Sequence, residues 1–314
     1  MSIQFLLKNN CNSSLTLILF SSMKFHLLLS LLLLSRICLS DVHTFAIIGD
    51  AGVWNQTTKN IRNSIQKSNI KNLILPGDNI YDLELNYEDI WSKWSTHGFE
   101  FSVVAIGNHT KGYNEEMLYF KLPSEFYTKV MGPIRFIVLN SDNVDTAQEQ
   151  ASYLNQQLAL AKEQFIFVVY HHPPFTLRHS WQERRNFHLT TRPILKKYNS
   201  KITALIVGHD HVASAVEFNT IPVIVAGAVW ESFKIPPINY REQDFIAKTL
   251  WTSQGGFYWV RLDADTEKNQ AWINFVEVTD SKKKVRCSIK IAPRPMIVSD
   301  NCYSKTRRDL LQHF

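Results

Sequence analysis

The sequence predicts an α/β fold with a mixed or second sheet, on three observations. Short apolar, β-branched runs alternate with helical periods through the first two thirds of the chain. After Val207 the texture changes to closely spaced strand-like runs with no long helix among them. The length of 314 residues, with 45% hydrophobic and 20% charged, is enough to bury a large core and rules out a coiled coil or a low-complexity tail.

The early runs are Thr44 to Ile48, Asn72 to Leu75, Ser102 to Ile106, Ile134 to Leu139, Phe165 to Tyr170 and Thr203 to Val207. Each is apolar nearly throughout, as a strand covered on both faces must be. Between the fourth and fifth, Ala147, Ala151, Leu154, Leu158 and Ala161 step by four and three and predict an amphipathic helix. Thr146 and Glu149 are placed to form a capping box at its start. The later runs, Ser214 to Phe218, Val223 to Ala226, Phe257 to Leu262, Ala271 to Val278 and Val285 to Ile291, predict a closing meander. No linker composition divides the chain, so residues 41–314 are expected to form a single domain.

Residues 1–40 read as a leader. Lys24, the apolar stretch Phe25 to Leu34 and the small-residue pattern Cys38-Leu39-Ser40 follow the order of a secretory signal, with cleavage expected after Ser40. Met23, directly before Lys24, offers an alternative start to Met1 and would make residues 1–22 an upstream extension. The apolar stretch falls short of the roughly 20 residues that span a bilayer, so no stable membrane span is expected. The net charge is +6, but Lys8, Lys24 and Arg36 lie in this leader, which carries no acidic residue. The remaining balance gives no reason to expect a nucleic-acid partner. Cys11 and Cys38 belong to the leader, leaving Cys287 and Cys302 to close a loop near the carboxyl end or to stand as two separate buried thiols. Asn55-Gln56-Thr57 is a glycosylation sequon, consistent with export.

Five runs end in polar clusters: Gly49-Asp50-Ala51-Gly52, Gly77-Asp78-Asn79-Ile80-Tyr81, Gly107-Asn108-His109, His171-His172-Pro173-Pro174 and Gly208-His209-Asp210-His211. Loops at the carboxyl ends of neighbouring parallel strands share one crevice, so residues far apart in sequence can meet there. The Gly before the polar residue in four of them is expected to let the backbone turn sharply. Asp, Tyr, Asn and several His together make a set of metal donors. The competing catalytic motifs, a Gly-rich phosphate loop, a Gly-x-Ser-x-Gly elbow and a His-Glu-x-x-His helix, are missing from the sequence.

On these motifs the chain resembles the metallophosphoesterases, and within them the purple, or tartrate-resistant, acid phosphatases. The resemblance maps metal ligands onto Asp50, Asp78, Tyr81, Asn108, His171, His209 and His211. It implies two mixed β-sheets packed face to face with helices outside, a four-layer sandwich. It implies a binuclear centre, with Fe(III) on Asp50, Tyr81 and His211, a divalent Fe, Zn or Mn on Asn108, His171 and His209, and Asp78 bridging. The expected activity is hydrolysis of phosphomonoesters, small or phosphoprotein, at acid pH by a metal-bound hydroxide. A secreted or lysosome-like monomer is expected. His109 matches the family's general acid, and His179 is a second candidate at the substrate mouth. His172 is an alternative to His171 as ligand.

Three positions depart from the family pattern. Ala51 replaces an aromatic, and Thr110 replaces the acid after Gly-Asn-His while creating the triplet Asn108-His109-Thr110. The segment from Asn140 to Ala147 is short where mammalian-type relatives carry a repressive insertion, so no proteolytic activation is expected. Selectivity is expected from the loops Pro173 to Trp181 and Trp230 to Tyr240. The alternatives are a phosphodiesterase or nucleotidase of the same superfamily, or a non-catalytic surface or scaffold protein that keeps the fold.

Overall fold

The computed structural model describes residues 42–175, 185–241, 246–280 and 282–302. The leader with Cys11 and Cys38, and His179 with most of its loop, lie outside the described residues. Two mixed sheets carry the fold. In the first, β1 (Val42–Ile47), β2 (Asn72–Pro76) and β3 (Glu100–Ala105) run parallel. Beyond β1 this sheet continues antiparallel through β12 (Phe257–Asp265), β13 (Gln270–Val278), β14 (Lys283–Ala292) and β15 (Ile297–Val298).

The second sheet has a parallel centre of β5 (Ile134–Val138), β6 (Phe165–Val169), β7 (Ala204–Val207) and β9 (Ile221–Ala226). It is extended on one side by β4 (Tyr127–Met131) and on the other by β8 (Ala213–Phe218), β11 (Ile246–Thr252) and β10 (Asn239–Arg241). The sequence reading passes over β4, β10, β11 and β15.

Alternation along the strands builds the layers. Phe45 and Ile47 of β1 face inward and join Ile74, Val103, Phe136, Phe167, Ile206, Val260 and Phe275 in one core between the sheets. Phe45 and Phe136 meet edge to face across that core, centroids 5.3 Å apart. Ala46, Ile48 and Leu73 face outward beneath helices α1 (Gln56–Gln66) and α2 (Tyr87–Ser95), which contribute Ile61, Ile65, Trp91 and Trp94. On the far side, Ile137, Val168 and Leu205 are covered by α4 (Ala147–Leu160) and α5 (Arg185–Lys197), through Leu154, Leu158, Phe187 and Leu195. A further helix, α3 (Tyr113–Phe120), follows β3. Helices outside and sheets face to face are the four layers expected.

The predicted stripe of α4 is buried from Ala147 to Ala161. Its predicted capping box does not form. A 3₁₀ turn, Val144–Thr146, runs into the helix, and the Thr146 hydroxyl instead donates to the Asn143 carbonyl and accepts from the Gln150 amide at 2.9 Å. A capping box is found at α1, where Thr58 N–H donates to Asn55 Oδ1 at 3.0 Å and Asn55 N–H to Thr58 Oγ1 at 2.9 Å.

Cys287 on β14 and Cys302 are joined in a disulfide that spans 15 positions. A loop of that length restricts the unfolded chain by about 3 kcal/mol on an entropic account. Reduction, or Cys302→Ala, is expected to lower thermal stability by about 2–3 kcal/mol. Melting with and without reductant checks it.

Candidate metal centre

The five predicted loops all leave the carboxyl ends of parallel strands, β1, β2 and β3 in one sheet and β6 and β7 in the other. Backbone bonds stitch them together: Asp50 N–H to Gly77 O at 3.0 Å, Gly208 N–H to His171 O at 3.0 Å, and Gly49 N–H to Ala226 O at 2.9 Å. The crevice therefore draws on both sheets.

The structure brings all seven predicted ligand residues into one cluster with two halves. In the first, Tyr81 Oη lies 3.2 Å from Asp50 Oδ1 and 2.9 Å from His211 Nε2, which is itself 3.2 Å from Asp50 Oδ1. In the second, Asn108 Oδ1 lies 3.1 Å from His171 Nε2 and 3.0 Å from His209 Nδ1, and the two imidazole nitrogens are 3.3 Å apart. Asp78 belongs to both. Its Oδ2 is 3.1 Å from Tyr81 Oη and its Oδ1 is 3.2 Å from His171 Nε2.

Donors that share one cation at about 2.1 Å stand roughly 3.0–3.4 Å from one another around it. Spacings in both halves fall in or near that range, so the donor set fits two cations sharing the Asp78 carboxylate. The hydrogen bonds behind the two imidazoles fit as well. His171 Nδ1–H donates to the Pro76 carbonyl at 2.9 Å and His211 Nδ1–H to Glu231 Oε2 at 2.6 Å, which turns both Nε2 atoms toward the cluster. His172 instead engages Ser141 Oγ through Nδ1 at 2.9 Å, although one of its ring nitrogens also comes within 4.8 Å of a ring nitrogen of His171 and of His209. His171, not His172, faces Asn108 and Asp78.

Charge in the cluster is held by protons when no cation is bound. Burial alone would raise the Asp78 carboxyl, but the charge and hydrogen bond of His171 and the neighbouring His109 outweigh it and hold Asp78 well below the usual carboxylate range. Burial would lower His171, and Asp78, Asp50 and the Pro76 carbonyl reverse it, so this imidazole is raised. Burial, followed by Asp50 and Asp78, pushes the Tyr81 phenol far up. A polyvalent cation is what would release its proton.

The glycines act differently from the sequence expectation. Of the four that precede a site residue, only Gly77 has a positive φ, +98°. The turns are made by the site residues themselves, Asp50, Asp78, His209 and His211, with φ of 56°, 54°, 70° and 42°. Gly107 and Gly208 are required for close approach. A Cβ on Gly107 would lie 2.1 Å from Asp78 Oδ1, and one on Gly208 would lie 2.6 Å from Asp50 Oδ2.

His109 donates its backbone N–H to Asp78 Oδ1 at 2.8 Å, and its exposed ring lies over Tyr81 at a centroid distance of 4.4 Å. Thr110, where the family carries an acid, reaches the Tyr87 hydroxyl at 3.1 Å. Glu116 lies beneath it, fully buried, a residue the sequence reading did not single out. Glu231 and the Trp230 ring, 5.1 Å from Tyr81, complete the wall, and Glu231 was also not singled out.

Residues 35–213 match the calcineurin-like phosphoesterase family, and the chain belongs to it. Among curated proteins, the tartrate-resistant acid phosphatases type 5 of Rattus norvegicus and Mus musculus are 25% and 24% identical, over 76% of this chain and 84% of theirs. Among solved structures the fold is similar to GAP50, the anchor in the inner membrane complex of Plasmodium, with TM-score 0.61, 19% identity and coverage of 87% of this chain and 94% of that one. It is similar also to the purple acid phosphatase of yellow lupin seeds, with TM-score 0.59, 16% identity and coverage of 80% and 54%. The family and the donor groups together suggest a binuclear metal site.

Two predictions follow from this packing. Gly107→Ala forces its methyl into Asp78 and is expected to lower metal affinity at least about 100-fold with the fold retained, read by metal titration beside circular dichroism. Burial, only partly offset by hydrogen bonds from Asn79, Thr110 and Tyr87, pushes Glu116 up to about 7. A carboxyl raised on folding favours the protonated protein, so its contribution is present below the unfolded value near 4.5 and is lost as pH rises through 7. In metal-free protein, Glu116→Gln is expected to gain up to about 3 kcal/mol on wild type between pH 5 and pH 8. Melting temperatures across that range measure the difference.

Proposed function

We propose that the chain is a binuclear acid phosphatase hydrolysing phosphomonoesters. The observation that carries the reading is the division of seven donors into two halves around Asp78, one half containing a tyrosine. Asp50, Tyr81 and His211 would hold a trivalent iron, because a phenolate is a hard oxygen donor; Asn108, His171 and His209 would hold a divalent Fe, Zn or Mn. Two cations held by these residues would supply Lewis acidity toward phosphate oxygens and would lower the pKa of water at the site.

The chain's own residues do the rest. Asp78 fixes the spacing of the two halves, while Glu231 and the Pro76 carbonyl orient His211 and His171. His109, at the mouth above Tyr81, hands a proton to the leaving alkoxide, so that one ester and one water become one alcohol and one phosphate. His179, which lies outside the described residues, is a second candidate proton donor. We assign residues 41–314 to one catalytic domain preceded by a cleaved leader, in a secreted or lysosome-like monomer that needs no proteolytic activation. No helix among the described residues is long and apolar enough to cross a membrane.

The likeness to GAP50, described as an anchor, keeps a scaffold role as the rival reading. Hydrolysis of p-nitrophenyl phosphate at pH 5 with a metal count separates the two. The expected result is activity, close to two metal ions per chain and a violet colour. Tyr81→Phe should abolish the colour, and Asn108→Ala should lower turnover at least about 100-fold. A colourless, iron-free preparation that prefers bis-p-nitrophenyl phosphate would move the chain to the phosphodiesterases or nucleotidases.

A further inference from the structure

Glu116 is a fully buried acid that no step of the reaction above uses. Its partners are hydrogen-bond donors. Asn79 Nδ2 donates to Oε1 at 2.6 Å and the Tyr87 hydroxyl to Oε2 at 2.9 Å, with the Thr110 hydroxyl bonded to the same carboxyl group. Each of these partners is tied to the metal centre by the chain. Asn79 directly follows Asp78, its amide also donates to Ala105 O at 2.9 Å, and its carbonyl accepts from the Trp91 indole at 2.8 Å. Thr110 stands two residues beyond Asn108, and the N–H of Lys111 donates to the Tyr87 hydroxyl at 3.3 Å.

The two loops so gripped also touch each other, through the His109 N–H on Asp78 Oδ1 at 2.8 Å. We propose that Glu116 is a positioning residue that locks the Asp78 loop to the Asn108 loop and thereby sets the donor spacing of the half-site made by Asn108, His171, His209 and Asp78. The inference rests on the two-cation reading given above. Its physical ground is that a Thr at position 110 is too short to brace both loops by itself. A carboxyl group brought up from α3 below offers two oxygens, Oε1 to Asn79 of the Asp78 loop and Oε2 to Tyr87, whose hydroxyl also accepts from Lys111 N–H three residues past Asn108. Hydrogen-bond partners behind metal ligands are commonly worth 10–100-fold in affinity.

The test uses the purified full chain, stripped by chelation and titrated with Zn²⁺ by calorimetry. Wild type is expected to bind two ions. Glu116→Ala should bind the weaker ion about 10–100-fold less tightly and leave the other within about threefold. Glu116→Gln keeps the shape and the oxygen that accepts from Asn79, and its amide N–H can donate to the Tyr87 hydroxyl once that hydroxyl turns, so it should bring the weaker ion back to within about threefold of wild type. Tyr87→Phe, which removes one hydroxyl, should weaken the same ion several-fold and carries the test if the alanine variant does not fold. Lowered melting temperature with both affinities unchanged, in either Glu116→Ala or Tyr87→Phe, would overturn the proposal and leave the two-cation reading standing. A wild type that binds no Zn²⁺ and no other divalent ion would overturn that reading and this proposal with it.

Discussion

The structure depends on one shared carboxylate. Asp78 lies nearly buried between Tyr81 on one side and His171 on the other, with its two oxygens turned to different halves of the cluster. An unpaired carboxylate at that depth is costly, and so is each of the imidazoles beside it. The group is tolerable because every member is satisfied by another, with protons in place of cations when none is bound. A cation taking their place would have to displace protons from His171 and Tyr81, which would tie its affinity to pH and to the stability of the fold.

Backbone geometry is arranged around the same point. Four residues of the crevice, Asp50, Asp78, His209 and His211, sit in the left-handed region, where a residue with a side chain is held at a cost of about 1 kcal/mol or more. The glycines beside them let loops approach so closely that a methyl group would strike a ligand oxygen. The crevice is therefore rigid by crowding as well as by hydrogen bonding. That rigidity is provided by the two parallel strand groups beneath it, whose strands are buried along the halves that lead into the crevice.

Much of this was legible in the sequence, for reasons that differ by element. Strands β1, β2, β5, β6 and β7 are buried over half or more of their length, so they read as nearly continuous apolar runs. Strand β4, with Thr128 and Lys129 partly or fully exposed, and the sheet-edge strands β10 and β15 carry no such run and were missed. The seven donors were legible because each follows a buried strand at its carboxyl end. Glu231 and Glu116 were not. Glu231 lies 20 positions beyond His211, and the meeting depends on β7 and β9 being neighbours, which no local pattern announces. Glu116 reads as one of two adjacent acids in the first turn of a short helix, where acids are ordinary surface residues.

The capping box and the glycines were misread for a related physical reason. Thr146 and Glu149 satisfy the local rule, but the Gln150 amide reaches back to the Thr146 hydroxyl and to the Asn140 carbonyl, at 2.9 and 2.8 Å, and the tertiary bonds win. The Gly before each site residue reads locally as a turn residue, whereas Gly49, Gly107 and Gly208 have no positive φ and serve close contact with other loops. Local sequence rules report what a segment prefers alone. At this crevice the segments are held where they do not prefer to be, and the donors converge because the surrounding layers override those preferences.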